Sequence, residues 1–303
     1  MDERLRRATQ SLEGLSLGDA FGELFFYFSA EHATLQDLPP SNWRWTDDTH
    51  MALSIVEILG RCGRIDQDAL AEAFARRYME EPNRGYGGGA RRLLAQVATG
   101  SDWRVVSPRL FGTGSCGNGA AMRVAPLGAF FADDPERAAH EARLSAVVTH
   151  FHPEGQAGAI GVAVAAVFAA AVPHLDGVAF IEEVMRLVPE GLTRQRLRRS
   201  LDIPADDISG AVHLLGSGSE VTAQDTVPFC VWTAAHNLAS YEAALWATAR
   251  GHGDCDTTCA IVGGIVAMSA PGLPVNWLER RERLPELFGI GVELHAREKE
   301  PER

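Results

Sequence analysis

Apolar residues recur at intervals of three and four in Ala- and Leu-rich stretches: Leu5–Phe26, Met51–Leu59, Gln67–Met79, Ala90–Ala98, Glu136–Val148, Gly158–Val172, Phe180–Leu187, Val227–Ala235, Tyr241–Thr248 and Thr258–Ser269. That spacing is the signature of helices burying one face, so the pattern predicts roughly ten helices. Alternating Val, Ile and Thr runs of strand length are nearly absent, and no repeat of fixed period is visible. The expected fold is all-α, a single compact orthogonal helical bundle.

Gly, Pro, Asn and Asp collect between the periodic stretches, at Ala30–Trp43, Glu81–Gly89, Ser107–Gly119, His150–Gln156, Asp202–Asp207, Gly216–Asp225 and Gly251–Asp256. No Gly/Ser-rich linker separates one half of the chain from the other. One domain is therefore expected over residues 1–294, followed by a polar tail at 295–303.

Composition narrows the class. An apolar content of 46% over 303 residues supports a real core. A net charge of −12 excludes a broad basic footprint for nucleic acid, while leaving room for a local phosphate pocket. Five scattered cysteines without a CxxC pair suggest neither a disulfide framework nor a zinc knuckle, so a reducing cytoplasm fits. The charged start MDERLRRATQ has no apolar signal core, and the apolar stretch Gly158–Val172 is short for a membrane span.

Two acidic clusters share one grammar. Thr46-Asp47-Asp48-Thr49 stands directly before the apolar stretch Met51–Leu59, and Asp254-Cys255-Asp256-Thr257-Thr258 directly before Cys259–Ser269. Each cluster alone reads most simply as a helix cap, because Asp and Thr accept from free N–H groups and acids favour the positive helix end. Together they also offer two sets of carboxylate and hydroxyl oxygens, the donor type preferred by Mg²⁺ or Mn²⁺. The spacing leaves open whether the clusters meet.

The segment Gly112–Arg123 (GTGSCGNGAAMR) places four glycines before a helix-forming Ala-Ala-Met, so its backbone N–H groups could surround an anion such as a diphosphate. Gly112, Gly114 and Gly117 match GxGxxG, but no strand precedes them, which excludes a dinucleotide-binding βαβ unit. The Lys-Ser/Thr ending of a Walker A loop is missing. His150 and His152 lack a third soft ligand at zinc spacing, and His150 reads as a polar substrate contact. Cys255 and Cys259, four apart on one helix face, read as small core residues.

These motifs together resemble the ADP-ribosylglycohydrolase family, which includes the dinitrogenase-reductase-activating glycohydrolase and the vertebrate ADP-ribosylhydrolases. The likeness rests on Gly14–Gly22 (GLSLGDAFG), Trp45–Thr49 (WTDDT), Pro82–Gly87 (PNRGYG), Gly114–Arg123 (GSCGNGAAMR), Thr149-His150 and Gly253–Thr257 (GDCDT), in family order along nearly the whole chain. The resemblance implies a two-metal site, usually Mg²⁺ and in some members Mn²⁺, above a cleft for ADP-ribose. By position, Thr46, Asp47 and Asp48 correspond to one ligand set, and Asp254, Asp256 and Thr257 to the other. Ser115, Cys116, Gly117, Asn118 and Gly119, with Met122, correspond to the diphosphate loop, and His150 to a substrate-contacting histidine. Pro82–Gly87 is most similar to the branch that cleaves serine-linked ADP-ribose.

Two positions depart from the family pattern. Where members carry a glutamate that contacts a metal, this chain has Phe26; Glu23, three residues earlier, shares its face if the helix continues, and is either a partial substitute or a surface acid. His252 stands where members have glycine. The expected function is a metal-dependent hydrolase that frees ADP-ribose from a modified protein or small molecule with water activated by the metal pair. Asp47, Asp48, Asp256 and Glu23 are the catalytic candidates. The alternatives are a non-catalytic or weakly catalytic ADP-ribose binder, or a structural protein on an inherited enzyme fold.

Overall fold

A computed structural model describes residues 2–172 and 175–287. The tail expected at 295–303 lies outside the described residues. Fifteen helices form the described part: α1 (Glu3–Gly22), α2 (Asp47–Cys62), α3 (Gln67–Glu80), α4 (Gly88–Ala98), α5 (Trp103–Val106), α6 (Ala125–Phe130), α7 (Pro135–Val147), α8 (Pro153–Ala171), α9 (Gly177–Leu187), α10 (Leu192–Ser200), α11 (Ile208–Leu215), α12 (Ala223–His236), α13 (Tyr241–Ala249), α14 (Cys255–Val266) and α15 (Val275–Leu278). No strand forms among the described residues; the isolated bridges are Trp43 with Arg281 and Gly117 with Thr222. The all-α expectation holds.

The ten periodic stretches all fall on helices, but five helices lack a counterpart among them. α5, α6 and α15 are too short to show a period. α10 (LTRQRLRRS) is so rich in arginine that only Thr193, Leu197 and Ser200 are buried. α11 carries a glycine in its first turn. One expected helix also ends early: α1 stops at Gly22, and Glu23–Phe26 form a tight 3₁₀ turn.

The centre of the fold is the contact between α1 and α14. Gly14, Gly18 and Gly22 form a bare stripe on α1 at intervals of four. A methyl group at Gly18 would overlap the carbonyl of Cys259, one at Gly22 the carbonyl of Cys255, and one at Gly14 that of Gly263. Backbone therefore lies on backbone, and Cys255 and Cys259 are small residues of this seam. The close approach draws the start of α14 alongside the end of α1, and α2 also packs on α1.

α8 is apolar on every side and lies in the middle of the bundle, packed by α6, α7, α9, α12 and α14. It has the length and composition of a membrane span, but 72% of the relevant window is buried inside the protein, as a core helix would be. At the other end of the chain, Phe21 stacks on Trp277 at a ring separation of 4.5 Å, and Trp43 lies against both rings. The Trp43 amide donates to Arg280 O and its carbonyl accepts from the Glu282 amide, which holds residues 280–282 beside the entry to α2.

Candidate active site

The two acidic clusters do meet. Asp47, Asp48, Asp254, Asp256 and Thr257 line one cleft of about 620 Å³, together with the glycine loop Gly114–Gly119, Met122, His150 and the segment around Gly85–Gly89. This volume is in the range of small-molecule sites.

Thr46 caps α2 by accepting from the Asp48 amide, so the simple capping reading is correct for this residue. Its hydroxyl also lies 2.9 Å from Asp19 Oδ1 and 3.0 Å from Asp48 Oδ2, turned away from the cleft wall. Asp254 is different: it precedes α14 without making a side-chain cap. Its Oδ2 instead accepts from Asn118 Nδ2 at 2.7 Å, and the same amide donates to Thr226 Oγ1 at 3.1 Å.

Asp19 is the residue that sequence patterning missed. It is fully buried on α1 and accepts from the amides and hydroxyls of both Thr46 and Thr49, at 2.6 to 3.0 Å. The available signal was a lone acid within the apolar part of α1, directly after Gly18. It acts as an anchor that fixes the first turn of α2.

Among the described residues none of these aspartates forms an ion pair, and Arg91 only offsets part of the rise at Asp47. Burial lifts the Asp47 carboxyl to about 8, with added repulsion from Asp19 and Asp254. Burial likewise holds Asp48 well above the usual range, reinforced by Asp256, Asp19 and Asp47. Asp256 is raised by burial and then by Asp254 and Asp19. Burial brings Asp19 itself to about 6, against the pull of its threonine donors. Asp48 Oδ1 is buried and has no hydrogen-bond partner. The acids face one another as an open set: among the described residues no three His, Cys, Asp or Glu side chains form a ready-made metal cage.

The glycine loop is held by its neighbours. Asn118 N donates to Val221 O at 3.2 Å, and Ala223 N donates to Cys116 O at 2.9 Å. Gly114, at φ +86°, lies so close to Phe151 and the His152 amide that a side chain there would collide with both. The expected helix start after the loop is a correction: Asn118–Ala120 is a single 3₁₀ turn, and α6 begins only at Ala125. Ser115 is buried, Cys116 half-buried, and Met122 buried beneath the loop. His150 is buried with its Nε2 edge against Gly117 and Gly119.

Opposite the loop, Gly85, at φ +98°, brings its Cα beside Asp47. Arg84 fixes this segment. Its guanidinium lies 3.6 Å from the centre of the Trp45 ring, donates to Trp45 O, and grips Glu282 through two bonds of 2.8 Å. Glu23 and Phe26 do not line the cleft. The 3₁₀ turn leaves Phe26 half-exposed, and Glu23 is half-buried in the field of Asp19, its carboxyl raised by burial and that neighbour against the pull of Arg44.

The fold and site define a helical enzyme domain in which an acidic centre and a glycine loop share one cleft. The profile of the ADP-ribosylglycohydrolase family matches residues 1–302, and the chain belongs to that family, whose class is the hydrolysis of ADP-ribosyl bonds. An uncharacterized protein of Archaeoglobus fulgidus is 29% identical over 98% of both chains. The ADP-ribosylhydrolase ARH3 of Gallus gallus is 35% identical over 54% of this chain and 42% of its own length, so the match spans less than half of that relative. A solved structure described as an ADP-ribosylglycohydrolase-related protein complex has the same fold, with a TM-score of 0.65 and 23% identity over 93% of this chain and 94% of its own.

Proposed function

We propose that the chain cleaves the glycosidic bond between ADP-ribose and a modified side chain or small molecule, using divalent cations. Mg²⁺ or Mn²⁺ would be held by Asp47, Asp48, Asp254, Asp256 and Thr257, while Thr46, expected as a further ligand, is not part of the cleft wall and braces Asp48 Oδ2 through its hydroxyl. The observation that carries this reading is the meeting of two acid clusters at one cleft, with no ion pair to any of their carboxylates among the described residues and with Asp48 Oδ1 left unpartnered. An all-oxygen donor set of this kind fits hard divalent ions. Such ions, when bound, supply Lewis acidity and lower the pKa of water.

The chain's own groups supply the remainder. Asp19 holds Thr46 and Thr49, which sets the first turn of α2 and the direction of Asp47 and Asp48. Asn118 orients Asp254. A carboxylate oxygen of Asp47, Asp48 or Asp256 accepts the proton of the attacking water. The loop Ser115–Gly119 and His150 hold the diphosphate, since bare glycine backbone permits close approach of an anion. The five free cysteines support a cytoplasmic setting.

The test is release of ADP-ribose by the wild type and by Asp256→Ala, with divalent cation or with excess EDTA. Equal release in all conditions would refute the reading. A second reading, binding without turnover, draws support from the absence of Glu23 and Phe26 from the cleft wall. Calorimetry with ADP-ribose beside the same assay separates the two: tight binding with no release from any linkage favours the binder.

A further inference from the structure

Arg123 is fully buried, and among the described residues no carboxylate forms an ion pair with it, Asp47 acting on its charge only from a distance. Its planar guanidinium lies 4.3 Å from the centre of the Phe74 ring, and its Nη1 reaches only the Met51 sulfur at 3.7 Å. Burying a guanidinium without an acid is unfavourable, so its remaining contacts call for a reason. Nη2 donates to Ser145 O at 3.1 Å and to Thr149 Oγ1 at 2.9 Å. Thr149 Oγ1 in turn lies 2.7 Å from His150 Nδ1.

The direction of each bond follows from the donor inventory. A guanidinium can only donate, so the Thr149 hydroxyl accepts from Arg123. Thr149 is 1% exposed, and the acceptor in reach of its own proton is His150 Nδ1. The reverse arrangement, with Nδ1–H donating to Thr149, would leave the hydroxyl proton buried without an acceptor. Nδ1 is thus the acceptor, and the neutral ring carries its proton on Nε2. Burial, aided by the Arg123 charge, pushes the His150 pKa down to about 3, which keeps the ring neutral. The Nε2 edge is the one that lies under Gly117 and Gly119, 3.3 and 3.1 Å from where their side chains would begin.

We propose that Arg123 is a positioning residue: through the Thr149 hydroxyl it fixes His150 in the tautomer whose Nε2–H faces the glycine loop as a permanent donor to a substrate anion. The identity of that anion as a diphosphate rests on the function proposed above; the relay itself does not. The arrangement explains why an unpaired guanidinium is buried beside a site whose other end is acidic. A neutral imidazole alone titrates and flips between tautomers, whereas this one is held as a donor from behind.

The direct test is ¹⁵N NMR of the histidine-labelled full chain, combined with calorimetry using inorganic pyrophosphate and ADP-ribose. The wild type should show His150 protonated at Nε2. Thr149→Val keeps the shape but removes the relay; it should give a mixture of His150 tautomers and weaken pyrophosphate and ADP-ribose roughly tenfold. Thr149→Ser restores the hydroxyl and should restore both the tautomer and the binding, which a purely structural role for the site would not require. Arg123→Met, if it folds, should match Thr149→Val. A wild-type ring protonated at Nδ1, or a folded Thr149→Val protein with wild-type tautomer and affinity, would overturn the proposal. An Nε2–H ring in a protein that binds pyrophosphate but not ADP-ribose would sustain the relay and refute the proposed substrate.

Discussion

Asn118 donates to Asp254 Oδ2 at 2.7 Å, joining the glycine loop to the second acidic cluster across 136 positions of sequence. Anion-binding and cation-binding halves of the cleft thereby share one side chain. Asn118→Ala should weaken both ligands together, divalent cation and ADP-ribose each by roughly tenfold, because Asp254 loses a charge-assisted bond. Calorimetry with each ligand alone checks this; loss of one affinity with the other intact would show that the halves are independent.

The seam between α1 and α14 makes a sharp prediction about stability. Gly18→Ala forces a methyl group into the Cys259 carbonyl, and the protein should lose about 3 kcal/mol, the upper part of the usual overpacking range. Gly88→Ala, at the first position of α4 with no atom within 4 Å of the new methyl, should gain about 0.5 kcal/mol. Thermal or urea unfolding of the pair reads the difference; equal midpoints would mean that the seam has slack.

Much of this fold was legible as period. α2, α8 and α14 show their apolar faces or apolar runs directly, and the two acid-rich helix starts announced themselves by position. The glycine stripe was visible only as a motif, because its meaning lies in the partner backbone that Gly14, Gly18 and Gly22 admit. Asp19 escaped for a related reason: its partners, Thr46 and Thr49, are 27 and 30 residues away. The first helix was carried on to Phe26 because the apolar period runs past Gly22, where the backbone instead tightens into a 3₁₀ turn. The relay behind His150 could not be read from spacing, since an arginine next to a methionine gives no hint that it is buried.

Removing divalent cations should reverse the usual acid sensitivity at this site. Folded Asp19 and Asp47 titrate near 6 and 8, above the ordinary 3.8 of an aspartate, because burial and mutual repulsion disfavour their charged forms. Between these values the folded chain holds protons that the unfolded chain has released, so stability falls as pH rises. In EDTA the contribution of these groups is fully present below about pH 3.8 and is lost as pH rises through 6 and 8. Saturating Mg²⁺ should remove most of that slope. Melting temperatures across this window check it, and Asp47→Asn should flatten the EDTA curve. Identical curves with and without Mg²⁺ would argue against a cation among these carboxylates.

The most direct measurement is release of ADP-ribose from a panel of serine-, arginine- and O-acetyl-linked substrates, in Mg²⁺, Mn²⁺ or excess EDTA, by the wild type and Asp256→Ala. The expected result is release from at least one linkage with a divalent cation, reduced by roughly a hundredfold or more in EDTA and in Asp256→Ala. Undiminished release in EDTA or in Asp256→Ala, or tight ADP-ribose binding with no release from any linkage, would contradict it.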